Sequence, residues 1–235
     1  MKWGGKYGAD YVNRLYAMVA RHLRRPFHML CLTDDARGVR PEVGIGPLPA
    51  LPALNQPKER GWNKLGAFSP EVAELMTETV LFLDLDVVIT GPLDPLFEHA
   101  GAFPMIRDWY HPASVIGNSS VFRFRPADHP TLFADFCAGA DSFVREHRNE
   151  QEFLTRYMQL KGALAWWPAD WCQSYRVGCL PLWPMRAWAT PKLPETARVV
   201  VFHGDPKPHE AIEGRSGVFK TWRPAPWVAE HWAAV

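Results

Sequence analysis

The sequence lacks the long apolar segment that a membrane span requires. The most apolar stretch, residues 80–89, contains two aspartates, whereas a spanning helix needs about 20 largely apolar residues. The first ten residues, MKWGGKYGAD, also lack the apolar core of a secretory signal. We therefore expect a protein without a membrane span that is located in the cytoplasm.

The chain also lacks an excess of charge of either sign. Its 26 Lys and Arg residues are balanced by 25 Asp and Glu residues, which leaves a formal net charge of +1. Proteins that bind nucleic acid usually have a basic face, and this face appears in the composition as an excess of Lys and Arg. We therefore expect no nucleic-acid partner.

Cysteine is scarce, with only four residues in the chain and no CxxC pair. A disulfide framework needs closely spaced and paired cysteines, and metal sites built on thiolates show paired spacings too. This pattern favours free thiols in a reducing compartment. A disulfide between Cys172 and Cys179 is the alternative.

Tryptophan and proline, by contrast, are abundant, with 11 and 22 residues respectively. Eight of the tryptophans follow residue 165, where they are interleaved with prolines. Proline interrupts regular structure, so the pattern predicts a loop-rich, aromatic C-terminal third. The 47% hydrophobic and 22% charged residues are typical of a globular protein with a large core, and we expect a single domain over residues 1–235.

The N-terminal region is typical of a βαβ unit. Apolar residues recur at three- and four-residue steps over 11–23, which predicts an amphipathic helix capped near Asp10 and ending before Pro26. A short apolar run at 27–32 then predicts a strand. A first strand should precede the helix, and because only two residues precede Trp3 we predict that it is very short.

Further elements are predicted from the same patterns. Residues 37–58 contain five prolines, which indicates a surface loop. A helix interrupted at Pro70 is predicted over 63–76, followed by a strand over 79–84 that is buried on both faces as a central parallel strand. The remaining predictions are strands at 103–106, 119–124 and 198–203 and helices at 129–136 and 150–160.

An acidic pair follows the most apolar of these strands, in the sequence Leu81-Phe-Leu-Asp84-Leu-Asp86. Ligand sites of open α/β sheets lie where strands leave the sheet, and side chains two residues apart on extended backbone point to the same side. Two such carboxylates repel each other unless a cation lies between them. Oxygen ligands favour Mg²⁺ or Mn²⁺, with substrate phosphates completing the coordination. In the simpler alternative, Asp84 caps the strand end and Asp86 belongs to a turn.

Two chemistries use this arrangement. One is the DxD metal site of glycosyltransferases that use sugar nucleotides. The other is the DxDx[TV] nucleophile loop of haloacid-dehalogenase-like phosphohydrolases, which residues 84–88 also match, with Asp84 as nucleophile. A phosphohydrolase of that type begins close to its nucleophile strand and has a second acidic cluster late in the chain. Here about eighty residues come first, and Asp205 lacks a following acidic partner, which favours the glycosyltransferase.

Five segments in order carry a family resemblance: WGGKYGADYVNRLY, LFLDLDVVITGPLDPLF, NSSVFRF, NEQEFL and VVFHGDPKP. Together they resemble a GT-A glycosyltransferase of glycosyltransferase family 8, which includes glycogenin-like and bacterial galactosyltransferase-like enzymes. The resemblance implies a Rossmann-like, nucleotide-binding mixed sheet flanked by helices. It also implies a nucleotide-binding half over residues 1–90 and an acceptor half over 91–235.

The resemblance implies a metal site as well. Asp84 and Asp86 would bind Mn²⁺ or Mg²⁺ against the donor diphosphate, with Asp84 also near the ribose. The family has a late motif that supplies a histidine ligand and a lysine for the diphosphate. Here His203 and Lys207 match it in role, although the spacing is two residues short. His209 is the alternative ligand, and a solvent-exposed role is the alternative for Lys207.

The remaining site residues are also implied by the resemblance. Lys6 and Tyr7 fall where the nucleotide base binds, and residues 108–110 could border the sugar pocket. Lys64 matches a basic donor-binding residue, and Asn118 matches a residue that contacts the donor sugar. Glu150 matches an acidic residue that binds sugar hydroxyls, and Gln151 matches a glutamine beside the anomeric carbon. The sequence leaves simpler alternatives open for these four, namely an exposed lysine, a turn residue, and polar residues favoured in a first helical turn.

The sequence thus predicts a hexosyltransferase that moves a sugar from a nucleotide-sugar donor, most simply a UDP-sugar, to a glycan, lipid or small-molecule acceptor. Retention of the anomeric configuration is implied by the family. The alternatives are the phosphohydrolase above and a sugar-nucleotide-binding domain that has lost catalysis. Donor sugar, acceptor and oligomeric state are not predicted.

Overall fold

Short strands and helices alternate along the chain. The computed structural model describes residues 1–54, 61–217 and 221–234. The helices are α1 (Ala9–His22), α2 (Pro70–Leu75), α3 (Asp94–Glu98), α4 (Leu132–Glu146), α5 (Glu150–Leu160), α6 (Pro208–Glu213) and α7 (Pro226–His231). The strands are β1 (Met29–Leu32), β2 (Val43–Gly46), β3 (Val80–Leu83), β4 (Val87–Ile89), β5 (Phe103–Arg107), β6 (Gly117–Phe124), β7 (Leu164–Trp166), β8 (Cys172–Ser174) and β9 (Val199–Val201).

The described strands form three sheets. Strands β1 and β2 pair in parallel. A mixed sheet has the order β3-β6-β5-β7, in which β6 is antiparallel to β3 and β5 while β7 is parallel to β5. A second mixed sheet has the order β4-β9-β8, in which β9 is antiparallel to β4 and parallel to β8. The predicted α/β class with mixed sheets and helices is confirmed.

Helix α1 forms where the apolar spacing predicted it. Its buried face carries Val12, Leu15 and Val19. The helix begins two residues earlier than expected, and its N-cap is Gly8, near the predicted Asp10. Asp10 lies in the first turn instead, where a carboxylate interacts favourably with the helix dipole.

The predicted N-terminal strand is reduced to a single bridge. Lys2 pairs in parallel with Thr33, directly after β1, and its backbone N–H donates to the Leu32 carbonyl at 2.9 Å. The predicted loop over 37–58 is partly wrong because β2 forms within it. Parallel pairing with β1 stabilises this short strand, and the residues of β2 alone do not indicate that β1 is its partner. The part of the loop from residue 55 lies outside the described residues.

Strand β3 forms at the predicted place but not in the predicted setting. Among the described strands it pairs only with β6, and this pairing is antiparallel. Phe82 is buried, whereas the other residues of the strand are half-buried. The prediction of a central parallel strand buried on both faces is therefore wrong. An apolar run indicates burial, but strand direction depends on a partner far away in the sequence.

The other predicted elements are found with small shifts. The helical region interrupted at Pro70 is a 3-10 helix over Trp62–Phe68 followed by α2. The predicted strands at 103–106, 119–124 and 198–203 correspond to β5, β6 and β9, and the helix at 150–160 is α5. The helix predicted at 129–136 is α4, which starts later and extends to Glu146. No helix in the described part of the chain is long and apolar enough to cross a membrane.

Two hydrophobic cores flank the centre of the molecule. The first is aromatic and lies between β3, β6, β5, α4 and α5, with Phe82 and Phe122 stacked at 4.6 Å between ring centroids. The second is mainly aliphatic and lies between α1, β4 and β9. The three residues of β4 and the three residues of β9 are all fully buried. The acidic pair lies between β3 and β4, and Leu85, the residue between the two aspartates, is buried in the second core.

The C-terminal third is irregular and aromatic, as predicted. Trp167, Trp222 and Trp232 are buried, while Trp183 and Trp188 are each 65% exposed. Cys172 and Cys179 are free and buried, so the alternative of a disulfide between them is wrong. Burial raises the pKa of both thiols, which keeps them protonated at neutral pH.

Candidate active site

The backbone of the acidic pair is held by both mixed sheets. The Asp84 N–H donates to the Ser120 carbonyl on β6 at 2.9 Å. The Asp86 carbonyl accepts from the N–H of Phe202, just after β9, at 3.0 Å. The two carboxylates are thus presented on a short link between two sheets.

Asp84 is paired with a buried lysine. The Lys64 ammonium donates to Asp84 Oδ2 at 2.8 Å and to Ser119 Oγ at 3.1 Å, and it lies 3.5 Å from Glu150 Oε1. Ser119 Oγ donates to Glu150 Oε1 at 2.7 Å. Burial lowers the pKa of Lys64, but the carboxylates of Asp84 and Glu150 raise it by a larger amount. The pKa of Lys64 therefore lies above its usual value. Lys64 is therefore charged, and the alternative of an exposed lysine is wrong.

Asp86 has a second, separate lysine. The Lys207 ammonium donates to Asp86 Oδ2 at 2.5 Å and to the Phe202 carbonyl at 3.0 Å. The Tyr7 hydroxyl donates to the same carboxylate oxygen at 2.6 Å. Burial and the Asp86 carboxylate raise the pKa of Tyr7, which keeps its hydroxyl a donor. Lys207 is mostly buried at the start of α6, so the alternative of an exposed lysine is wrong.

His203 is held by contacts on its faces and edges. Its Nε2 lies 2.6 Å from Ser174 Oγ. Trp109 stacks on the imidazole at 5.2 Å between ring centroids, and Tyr110 meets its edge at 5.8 Å. Burial lowers the pKa of His203, and Arg176 lowers it further. The ring is therefore neutral at pH 7, the form in which histidine binds metals.

The predicted sugar-site residues lie beside the buried lysine network. Asn118 Nδ2 lies 3.4 Å from Gln151 Oε1, and Asn118 Oδ1 accepts from the Ser120 N–H at 3.0 Å. Glu150 is only 5% exposed. A carboxylate favoured by the helix dipole alone could remain in solvent, so its burial against Ser119 and Lys64 indicates a further role.

The other predicted residues lie at the edges of this region. Lys6 is exposed, with its ammonium 5.1 Å from the centroid of the Tyr7 ring. His209, the alternative to His203, has its Nδ1 2.8 Å from the Tyr11 hydroxyl.

Two serines at the site are not predicted from the sequence. Ser119 belongs to the NSS segment, in which the family resemblance points to Asn118, and the alternation of side chains along β6 is the signal that distinguishes it from its neighbours. Ser174 lies at the end of a three-residue strand, and no local pattern distinguishes it from other serines.

The types of donor atom at the site, though not their spacing, are those of a divalent-cation site. Asp84 and Asp86 carry carboxylate oxygens and His203 carries an imidazole nitrogen, atom types that bind Mn²⁺ or Mg²⁺ in proteins. Lys64 and Lys207 already compensate the carboxylates. Within the described residues, no three His, Cys, Asp or Glu side chains are close enough together to form a metal-binding group.

No protein-family model and no curated protein matches the chain by sequence. Comparison with solved structures does find matches. An active-site mutant of LgtC matches with 14% identity and a TM-score of 0.60 over 94% of this chain and 90% of LgtC. A second LgtC structure, in complex with donor and acceptor sugar analogs, gives 14% identity and a TM-score of 0.57 over 95% and 91%.

Two longer glycosyltransferases also match. GlyE of Streptococcus pneumoniae TIGR4 shows 15% identity and a TM-score of 0.62 over 98% of this chain, which spans 59% of GlyE. The bifunctional WbbM shows 10% identity and a TM-score of 0.54 over 85% of this chain, which spans 44% of WbbM. These matches do not favour the haloacid-dehalogenase alternative. The chain therefore has the fold of these glycosyltransferases, as its resemblance to GT-A enzymes of family 8 implied.

Proposed function

We propose that the protein is a metal-dependent glycosyltransferase that moves a sugar from a nucleotide-sugar donor, most simply a UDP-sugar, to an acceptor. One observation carries the proposal. On a glycosyltransferase fold, Asp84 and Asp86 follow the end of β3, and the negative charge of each carboxylate is compensated by its own lysine. LgtC, whose fold is similar, has been solved with donor and acceptor sugar analogs.

Asp84, Asp86 and His203 would hold Mn²⁺ or Mg²⁺. A bound cation of this kind supplies positive charge to the donor diphosphate and stabilises the charge that grows on it as it leaves. Lys207 contributes in the same direction. Its ammonium is held by Asp86 and by a backbone carbonyl, so it is oriented before the diphosphate arrives.

Three groups around α5 would bind the sugar. Gln151 lies beside the anomeric carbon, Asn118 contacts the sugar and orients Gln151, and Glu150 binds sugar hydroxyls. Lys64 and Ser119 hold the Glu150 carboxylate in place. This arrangement supports retention by attack on the face that the leaving group departs from, because that route needs no dedicated nucleophile. Tyr7 and Lys6 would border the nucleotide base, and residues 108–110 the sugar pocket.

The acceptor would bind against the aromatic C-terminal third. Trp183 and Trp188 expose most of their indoles, and indole faces suit stacking on sugar rings. A glycan, a lipid-linked sugar or a small molecule would each fit this description. Residues 91–235 would then form the acceptor half and residues 1–90 the nucleotide-binding half.

A thermal-shift screen of nucleotide sugars tests the proposal directly. We expect one UDP-sugar to raise the midpoint of unfolding by several degrees in the presence of Mn²⁺, because a ligand that binds only the folded state stabilises it. Without Mn²⁺ the same donor should give a much smaller shift. If no nucleotide sugar stabilises the protein with or without the metal, the proposal is wrong.

The alternatives give different results. A haloacid-dehalogenase-like enzyme would release phosphate from simple phosphomonoesters and would form an aspartyl-phosphate mimic with beryllofluoride. A domain that has lost catalysis would bind a donor tightly without hydrolysis or transfer. Metal-dependent release of UDP from the stabilising donor separates the transferase from both.

A second prediction concerns Ser174. In metal sites, the histidine nitrogen that does not bind the ion donates its proton to a neighbouring oxygen, and losing that partner costs about 10- to 100-fold in metal affinity. Ser174 Oγ is the partner of His203 Nε2, which leaves Nδ1 for the cation. We expect Ser174→Ala to weaken Mn²⁺ binding about 10-fold in a calorimetric titration.

Ser142→Ala is the matched control. Ser142 bonds Glu146 on α4, away from the site, so its loss should leave Mn²⁺ affinity unchanged. Equal affinities for both variants and the unmodified protein would rule out a role for Ser174 in orienting His203.

A further inference from the structure

One carboxylate oxygen of the acidic pair has two hydrogen-bond donors from distant parts of the chain. The Lys207 ammonium, at the start of α6, lies 2.5 Å from Asp86 Oδ2. The Tyr7 hydroxyl, which precedes α1, lies 2.6 Å from the same oxygen. A carboxylate oxygen has two lone pairs, so the chain itself uses both lone pairs of Asp86 Oδ2.

These contacts oppose the binding of a cation to Asp86. A divalent cation would bind the carboxylate through the same lone pairs. Binding through the other oxygen of Asp86 would leave the cation close to the Lys207 ammonium, and two positive charges at that distance repel each other. The side chains of Lys207 and Asp86 are only 14% and 11% exposed, so water and salt screen this repulsion poorly.

The ammonium of Lys207 can leave Asp86 while the backbone stays in place. The Lys207 N–H donates to Glu210 Oε2 at 2.7 Å, which fixes the backbone at the start of α6. The ammonium ends a flexible stem, and it has the Phe202 carbonyl, 3.0 Å away, as a second acceptor. Tyr7 contacts Asp86 through its hydroxyl. Each contact to Asp86 therefore ends in a single polar group that another acceptor could take over.

We propose that Tyr7 and Lys207 oppose cation binding at Asp86 in the free protein and release this carboxylate when a nucleoside diphosphate arrives. The inference rests on the function proposed above, in which Lys207 contacts the diphosphate and Tyr7 borders the base. A phosphate oxygen takes over the ammonium, and the Asp86 carboxylate is then available to the cation. Coupling between two binding events is reciprocal, so the cation and the nucleotide each raise the affinity for the other by the same factor.

Calorimetric titration of Mn²⁺ into the protein without nucleotide tests this competition. Lys207→Met keeps an unbranched side chain but removes the ammonium. We expect this variant to bind Mn²⁺ about 10-fold more tightly than the unmodified protein, because a hydrogen bond from a charged group contributes about that factor. Lys161→Met is the matched control. It also removes one positive charge, at an exposed position after α5, and should leave the affinity for Mn²⁺ unchanged.

Saturating UDP should remove the difference between the two proteins. In its presence the diphosphate engages Lys207 of the unmodified protein. We therefore expect the unmodified protein and Lys207→Met to bind Mn²⁺ with similar affinity, after correction for the Mn²⁺ that free UDP binds. UDP thus raises the affinity for Mn²⁺ about 10-fold more in the unmodified protein than in the variant.

Tyr7→Phe tests the second contact and retains the ion pair between Lys207 and Asp86. Loss of a neutral hydroxyl donor should raise the affinity for Mn²⁺ about 3-fold without nucleotide. If neither variant binds Mn²⁺ more tightly than the unmodified protein, the competition is refuted, whereas the proposed function stands as long as Mn²⁺ and UDP bind. If Mn²⁺ binds to none of these proteins, with or without UDP, the proposed metal-dependent function is wrong as well.

Discussion

Asp86→Asn should abolish metal-dependent release of UDP from the donor while leaving the protein folded. The substitution keeps the size of the side chain and an oxygen that can accept from Tyr7 and Lys207, but it removes the negative charge that would bind the cation. We expect turnover to fall at least about 100-fold, the size of loss seen when one electrostatic contact to developing charge is removed. A coupled assay for UDP measures it.

The same variant should also lose the Mn²⁺-dependent thermal shift with the donor. Asp141→Asn is the control, because Asp141 is an exposed acidic residue on α4. It should match the unmodified protein in turnover and in thermal shift. Undiminished UDP release by Asp86→Asn would show that the acidic pair does not bind a catalytic cation.

Lys64→Met should have the largest effect on stability. Lys64 is 8% exposed and compensates both Asp84 and Glu150, which lie on different elements. Removing one partner of a buried ion pair leaves an uncompensated charge and costs about 3–5 kcal/mol. We expect a loss of this size in the free energy of unfolding, measured by denaturant titration with tryptophan fluorescence as the signal.

A second substitution distinguishes lost charge compensation from lost packing. Adding Glu150→Gln to Lys64→Met removes one of the two carboxylates left without a cation, so the double variant should be more stable than Lys64→Met. Lys161→Met, at an exposed position after α5, should change stability by less than about 0.5 kcal/mol. If the double variant is no more stable than Lys64→Met, compensation of Glu150 contributes little to the cost.

The sequence predicted the place of the acidic pair well, for a local reason. An apolar run that ends in two carboxylates marks a strand leaving a sheet, and both features lie within nine residues. The direction of β3 relative to its partner strand could not be predicted from the neighbouring residues. It depends on β6, about forty residues later, and an apolar pattern is the same for parallel and antiparallel partners.

The contacts of the site were predictable only in part. The resemblance to family 8 selected Lys64 and Lys207, and the structure brings each of them to a carboxylate. Their functional roles stay predictions. Ser174 could not be found, since its importance arises from the pairing of β8 with β9, which brings it to His203. Strand β2 was missed for the same kind of reason, because its partner β1 lies across a loop.

The anchoring of the acidic pair has a consequence for mutational robustness. Asp84 is bonded through its backbone to the sheet of β3 and β6, whereas Asp86 is bonded to the segment after β9. One face of the first sheet packs in the aromatic core, whereas its other face, with Ile106 and Val121, packs in the aliphatic core together with the second sheet. The distance between the two carboxylates therefore depends on how the two sheets are placed relative to each other. We therefore expect a substitution that shifts one sheet relative to the other to change the spacing of the carboxylates.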